Sequence, residues 1–172
     1  MEWTGVRFAD RPTVEVPIEI DAPPERVWAV VSDIEVMPGA SPELQAVEWL
    51  DGRSGPGLGA RFAGHNRNEA FGEWSTTSVI VEYDPPRVFA WAVGDPERPA
   101  AVWRLSLEPR DGGTLLREWV QVGPGRSGLS MAVERMPDKE QKIVFVRLRE
   151  LEANMGATLA AIKKRAEAPA GA

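Results

Sequence analysis

From Leu44 to Val122 the chain alternates apolar and polar residues in six short segments, then switches to a helical period and keeps it. The segments run over 44–50, 59–67, 72–83, 87–94, 100–108 and 114–122, and are separated by DGRSGPG, NEAFG, DPP, GDPERP and RDGG. Period-two alternation is the mark of a half-buried strand, and separators rich in Gly, Pro and Asp are turns. Strands joined by such short turns pair antiparallel. Beyond them Val144, Leu148, Leu151, Met155, Leu159 and Ile162 form one apolar stripe of a long helix, with Lys142, Arg149, Glu152, Lys163 and Glu167 mainly off it. A sheet with one apolar face must cover it, and this helix is the available cover. A twisted sheet wrapped around a single helix leaves a gap, so a cavity is expected between them, with Gly156 allowing close backbone approach.

The upstream residues complete the plan. Thr13 to Ile20 alternates and supplies a seventh strand; Pro17 assigns it to an edge or a bulge, because proline has no N–H to donate. Asp21-Ala-Pro-Pro-Glu reads as a helix start with a capping carboxylate, and Val27, Val31 and Ile34 extend that helix over 24–33. Pro38, Gly39 and Pro42 then break the chain's regularity, around one short helical turn. Residues 128–136 form a short helix ended by Pro137, and Asp138 with Gln141 has the form of a capping box for the last helix. The expected order is strand, helix, six strands, long helix: an α+β chain of one domain over 13–167. Residues 1–12 are expected as a tail or edge extension, and 168–172 as a disordered tail. A chain of 172 residues is long enough for one substantial core.

Composition removes several chemistries. There is no cysteine and a single histidine, His65, so thiolate catalysis and soft-metal sites are excluded and no metal or cofactor is expected. The longest apolar runs, Val27–Val31 and the one that includes Phe89–Val93, have five and six residues, far short of the roughly 18 a membrane span needs. With no signal-like N-terminus, a soluble cytoplasmic protein, monomer or homodimer, is expected. The net charge of −6 argues against nucleic acid, which requires a basic surface. Residues 126–172 carry 9 basic and 6 acidic groups, which reads as the solvated face of the last helix and not as a lipid-binding patch. GPGRSG at 123–128 fits G-x-G-x-x-G between a strand and a helix, but no parallel βαβ unit comes after it, so a nucleotide is rejected. An anion at that helix start, beside Arg126, suits the context better.

Alternation also sorts the side chains by face. Phe62, Gly64 and Asn66 share one face, and Trp74, Thr76, Ser78 and Ile80 another. Phe89, Trp91 and Val93, then Trp103, Leu105 and Leu107, then Leu116, Glu118, Val120 and Val122 complete the inward sets. Seven tryptophans against one tyrosine suit either core filling or an aromatic-lined cavity. Phe62, Trp74, Thr76, Trp91, Trp103, Leu116, Leu151 and Met155 are the expected ligand contacts. Glu118 sits among leucine and valine, where a carboxylate is costly and its pKa rises unless paired, which suits a general acid or base. Pairing with an arginine would be its structural role. Asn66 joins Glu118 as the candidate catalytic pair, and Asn66 and Thr76 could donate hydrogen bonds to a ligand or satisfy each other. His65 falls on the outer face.

Several stretches resemble the START-like, helix-grip superfamily (SRPBCC; polyketide cyclase/dehydrase and lipid transport), in its bacterial polyketide-cyclase-like branch. They are APPERVWAVVSD at 22–33, GLGARFAGHNR at 57–67, WSTTSVIVEYDPPRVFAW at 74–91, VWRLSLEP at 102–109, GGTLLRE at 112–118 and NMGATLAAIKKRAE at 154–167. The resemblance implies a seven-stranded antiparallel sheet wrapped around a long C-terminal helix with an internal cavity. It implies no particular chemistry, since members include carriers, cyclases, receptors and chaperone activators. Three functions stand open. The first is binding of a hydrophobic lipid-, polyketide- or aromatic-like small molecule. The second is a cyclase, aromatase or dehydratase acting on a polyketide-like substrate. The third is a chaperone-activator-like partner module.

Overall fold

The computed structural model describes residues 5–169. The outermost parts of the two expected tails, 1–4 and 170–172, lie outside the described residues. Seven strands form one antiparallel sheet: β1 (Thr13–Ile20), β2 (Leu44–Trp49), β3 (Arg61–Asn68), β4 (Gly72–Asp84), β5 (Val88–Val93), β6 (Ala101–Arg110) and β7 (Gly113–Val122). Their order is β1-β7-β6-β5-β4-β3-β2, so six consecutive strands meander and β1 returns to pair with the last. β1 is an edge strand with one neighbour, where Pro17, opposite Arg117, is tolerated. Helix α1 (Pro24–Val31), the short α2 (Met37–Ala40) and α3 (Gly128–Arg135) accompany the long α4 (Glu140–Glu167) of 28 residues.

The apolar stripe of α4 is buried where alternation and period placed it: Val144, Leu151, Met155, Leu159 and Ile162 are all inaccessible or nearly so. The lower half of α4 packs with α1 against β1, β6 and β7, and Val27, Val31, Leu105, Leu107, Leu116 and Phe89 close one end of the wrapped sheet. Each such side chain contributes roughly 1.5–3 kcal/mol on burial. A second cluster, Val120, Val122, Leu129, Leu151 and Met155, holds α3 and the first half of α4 to the other end.

Three local expectations differ from what is observed. The N-cap of α1 is Pro23 without a side-chain cap, and the Asp21 N–H instead donates to Glu167 Oε2 at 2.7 Å, tying the end of α4 to the β1–α1 turn. Asp138 does not cap α4, because Pro137 starts a 3-10 turn (Pro137–Lys139) that runs straight into the helix and leaves Asp138 inside it. The capping box of this region is on α3, where Ser127 Oγ accepts from Ser130 N–H at 3.2 Å and Ser130 Oγ accepts from Ser127 N–H at 2.8 Å. Gly156 meets nothing within 4 Å of where a Cβ would stand, so it is not a point of close approach.

Residues 7–10, within the stretch expected as a tail or edge extension, are docked. Glu140 accepts from the Phe8 N–H at 3.0 Å and pairs with Arg7 at 3.2 Å. The Phe8 ring packs on the second cluster and lies against Gly123.

Candidate functional site

Residue pairing across the sheet stacks the inward faces into levels. On the first, Ile18, Leu116 and Leu107 are opposed across β1, β7 and β6. The next carries Val16, Glu118, Leu105 and Phe89, and the one above it Val14, Val120, Trp103, Trp91 and Ile80. The level of Leu116 is sealed by α1. Above it α4 and the sheet diverge and enclose a cavity of about 940 Å³. That lies within the size range of small-molecule sites.

Of the expected ligand contacts, Phe62, Trp74, Thr76, Trp91, Trp103, Leu151 and Met155 all line this cavity, as do Asn66 and Glu118. Leu116 does not. It is fully buried in the closed core one level below, because the strand pitch separates it from Glu118 along β7 and α1 fills the space in front of it. Trp91 and Trp103 stack with ring centroids 6.4 Å apart and planes 16° from parallel, and Phe62 and Phe89 meet Trp91 edge-on at 6.1 and 5.4 Å. Gly64 also faces inward, where a Cβ would stand 3.2 Å from a Leu44 methyl and 3.4 Å from Thr76 Oγ1. A bulge between Ile80 and Glu82 breaks the alternation of β4, so that Tyr83, not Glu82, turns inward onto Trp28 and Phe89.

Glu118 stands at the boundary between sealed core and cavity. It is 4% exposed, its cross-strand neighbours are Val16 and Leu105, and its Oε2 has no hydrogen-bond partner. Burial pushes its carboxyl from the ordinary 4.5 up to about 8, so it holds its proton at neutral pH. No arginine pairs with it among the described residues. Asn66 lies on β3, four strands along the curled sheet from β7, and lines the same cavity. Neither Asn66 nor Thr76 makes a side-chain hydrogen bond among the described residues, which leaves both available to the cavity. His65 is on the outer face, bonded to Ser75 Oγ at 2.8 Å and near Glu48.

Beside the cavity is an ionic cluster that alternation did not reveal. Glu43, just before β2, takes a bidentate pair from Arg147 of α4 at 2.6 and 3.0 Å, and accepts from Asn68 at 2.9 Å and Asn154 at 3.1 Å. Asn68 also donates to Glu150, which pairs with Arg147 at 3.2 Å. The Arg147 guanidinium lies over the Phe71 ring, 5.3 Å from its centre. Burial raises the Glu43 carboxyl, but the Arg147 hydrogen bonds and charge outweigh it and hold the group below its ordinary value. Glu43 and Arg147 are 104 residues apart, and nothing local in the sequence marks them as partners.

The glycines of GPGRSG have packing reasons. A Cβ on Gly125 would stand 2.2 Å from the Arg98 carbonyl oxygen, and one on Gly123 would stand 3.0 Å from the Phe8 ring. The loop is pressed between two chain segments.

The matches to known proteins agree with this geometry. Residues 11–167 match the family described as polyketide cyclase / dehydrase and lipid transport. The chain belongs to that family. A polyketide-cyclase-like protein of Corynebacterium glutamicum, solved by NMR, is 30% identical over 94% of this chain and 92% of its own, with a TM-score of 0.65. The Zhui aromatase/cyclase of a Streptomyces species has 20% identity over 91% of this chain and 93% of its own, with a TM-score of 0.65. The di-domain ARO/CYC BexL has 22% identity and a TM-score of 0.68; the match covers 92% of this chain and 50% of BexL. At those identities the last two show a shared helix-grip fold and no more. No curated protein matches. Among the described residues no helix is long and apolar enough to cross a membrane.

Proposed function

We propose that this family member binds a predominantly apolar small molecule, lipid-, polyketide- or aromatic-like, in the cavity between sheet and α4. The observation that carries the reading is Glu118: an unpartnered, protonated carboxyl at the floor of an aromatic-walled space. A buried polar group without a partner is costly. A ligand carbonyl or hydroxyl oxygen placed there would accept its proton and remove that cost, while Trp91, Trp103 and Met155 cover the apolar body.

Native mass spectrometry of the purified chain tests the reading through co-purifying molecules. The variant Met155→Trp supplies the control. Met155 is 1% exposed and lines the cavity, so a larger ring there occupies ligand space. Binding, followed by tryptophan quenching, should weaken at least about tenfold with the fold intact, because a cavity absorbs volume that a packed core does not. Unchanged binding in Met155→Trp would place the ligand elsewhere.

A second reading, a cyclase or dehydratase, is favoured by the same residue. A carboxyl titrating near neutrality is suited to proton transfer during enolisation or water loss. Glu118→Gln distinguishes the two. A carrier changes affinity by about 1 kcal/mol. An enzyme keeps binding and loses turnover by about 100-fold or more. Asn66 would then touch a distant part of the same substrate. The partner-module reading draws little support among the described residues, whose large exposed apolar side chains are Leu58, Val81, Met136 and Val146, on separate segments.

A further inference from the structure

Among the described residues, the charged ones that border the cavity are Glu43, Glu118, Arg126, Arg135 and Arg147. Arg147 is held by both Glu43 and Glu150 and so offers no free positive charge, and Glu118 is buried at the floor. Arg126 and Arg135 are exposed, and among the described residues neither has a hydrogen bond or ion pair. The side chains of Arg11, Arg26, Arg53, Arg67, Arg98 and Arg165 are likewise without a hydrogen bond or ion pair among the described residues, but none of them borders the cavity, and the others are paired. Arg104 is held by Glu82, Arg61 by Asp51, and Arg110 and Arg117 by Glu108. Two uncompensated guanidinium groups therefore stand at the rim of an apolar cavity, in a chain of net charge −6.

Packing does not account for Arg126 as it accounts for the glycines around it. Arg126 precedes Ser127, the N-cap of the eight-residue α3, whose first turn also borders the cavity through Gly128 and Leu129. The backbone N–H groups at such a helix start add positive potential to that of the side chain. An independent sign that the space takes a ligand is Glu118, buried, without a partner for Oε2, and bordering the same cavity. The floor thus offers a carboxyl and the rim offers guanidinium groups, which sets an orientation for any charged guest.

We propose that the cavity takes an anionic amphiphile, its apolar body against Trp91, Trp103 and Met155 and its terminal carboxylate or phosphate at the rim on Arg126 and Arg135. This rests on the cavity-binding reading above and adds to it the charge and the orientation of the ligand.

The test is a titration of the full chain with dodecanoate, dodecyl phosphate and dodecanol, followed by tryptophan fluorescence at low salt. The anions should bind at least about tenfold more tightly than the alcohol, the scale of one charge-assisted hydrogen bond. The tighter of the two names the headgroup. In Arg126→Gln/Arg135→Gln that margin should fall to within about twofold, with dodecanol unchanged, and added salt should narrow it in the wild type. Arg126→Lys/Arg135→Lys, which keeps the charge, should retain most of the margin. Both positions are exposed, and a thermal melt verifies that the variants fold. An alcohol that binds as tightly as the anions, or a Gln variant that weakens all three alike, overturns the charge assignment alone. Binding of none of the three would bring down the cavity reading and this proposal with it.

Discussion

Glu118 gives the protein a stability cost that depends on pH, and its sign is set by the direction of the shift. The folded carboxyl titrates at about 8 and the unfolded one at 4.5. Between those values the folded state holds a proton that the unfolded state has released, so stability falls as pH rises from about 4.5 to 8. The difference of about 3.5 pKa units corresponds to up to roughly 5 kcal/mol at pH 8 and above, at 1.36 kcal/mol per unit. Relaxation and water entry from the cavity reduce this to about 2–5 kcal/mol. That is a large fraction of the 5–15 kcal/mol typical of a domain. Glu118→Gln removes the titration while keeping the shape. Urea unfolding of both proteins at pH 5, 6, 7 and 8 isolates the effect, because every other group is common to the two and largely cancels. The variant's stability relative to wild type should rise with pH, at up to about 1.4 kcal/mol per pH unit near neutrality. Any fixed cost of burying the amide enters as a constant offset. A difference that stays flat from pH 5 to 8 would refute the reasoning, since the carboxyl would then be solvated or paired in the folded state.

Two glycines should respond to alanine in opposite directions. Gly125→Ala would drive a Cβ against the Arg98–Ala100 backbone and should cost at least about 2 kcal/mol. Gly156→Ala, in α4 with open space around it, should stabilise by up to about 1 kcal/mol. Thermal melts check both, and a stabilising Gly125→Ala would contradict the packing described for that loop. The Glu43–Arg147 pair, with both side chains about 15% exposed, should show a coupling of about 2–3 kcal/mol in a Glu43→Gln/Arg147→Met double-mutant cycle. A coupling below about 0.5 kcal/mol would make it an ordinary surface pair.

The extent to which site residues were legible differs by kind. Trp91, Trp103, Phe62 and Glu118 could be assigned to the inner face because strand alternation has a fixed period of two, and their segments keep it without interruption. Tyr83 could not, because the bulge at Ile80/Glu82 shifts its strand by one residue and no composition signal marks the shift. Leu116 had the right face and the wrong level: alternation reports which side of the sheet a residue faces but not what stands in front of it, and α1 stands there. The Asp138-x-x-Gln141 pattern was present without its cap, since Pro137 imposed a turn that moved the helix start.

Local periodicity and turn chemistry alone determined the seven strands, the antiparallel pairing of those joined by short turns, the long covering helix and the presence of a carboxyl on an apolar face, because each depends on neighbours within a few residues; the pairing of β1 with β7, about 100 residues away, did not follow from them. Tertiary structure decided the rest. The cavity exists where α4 and the sheet diverge above α1, and its rim is formed by Glu43 meeting Arg147 across 104 residues and by Arg126 and Arg135 finding no such partner. Distances between residues remote in sequence are set by the packing of whole elements, and no periodicity within a segment encodes them.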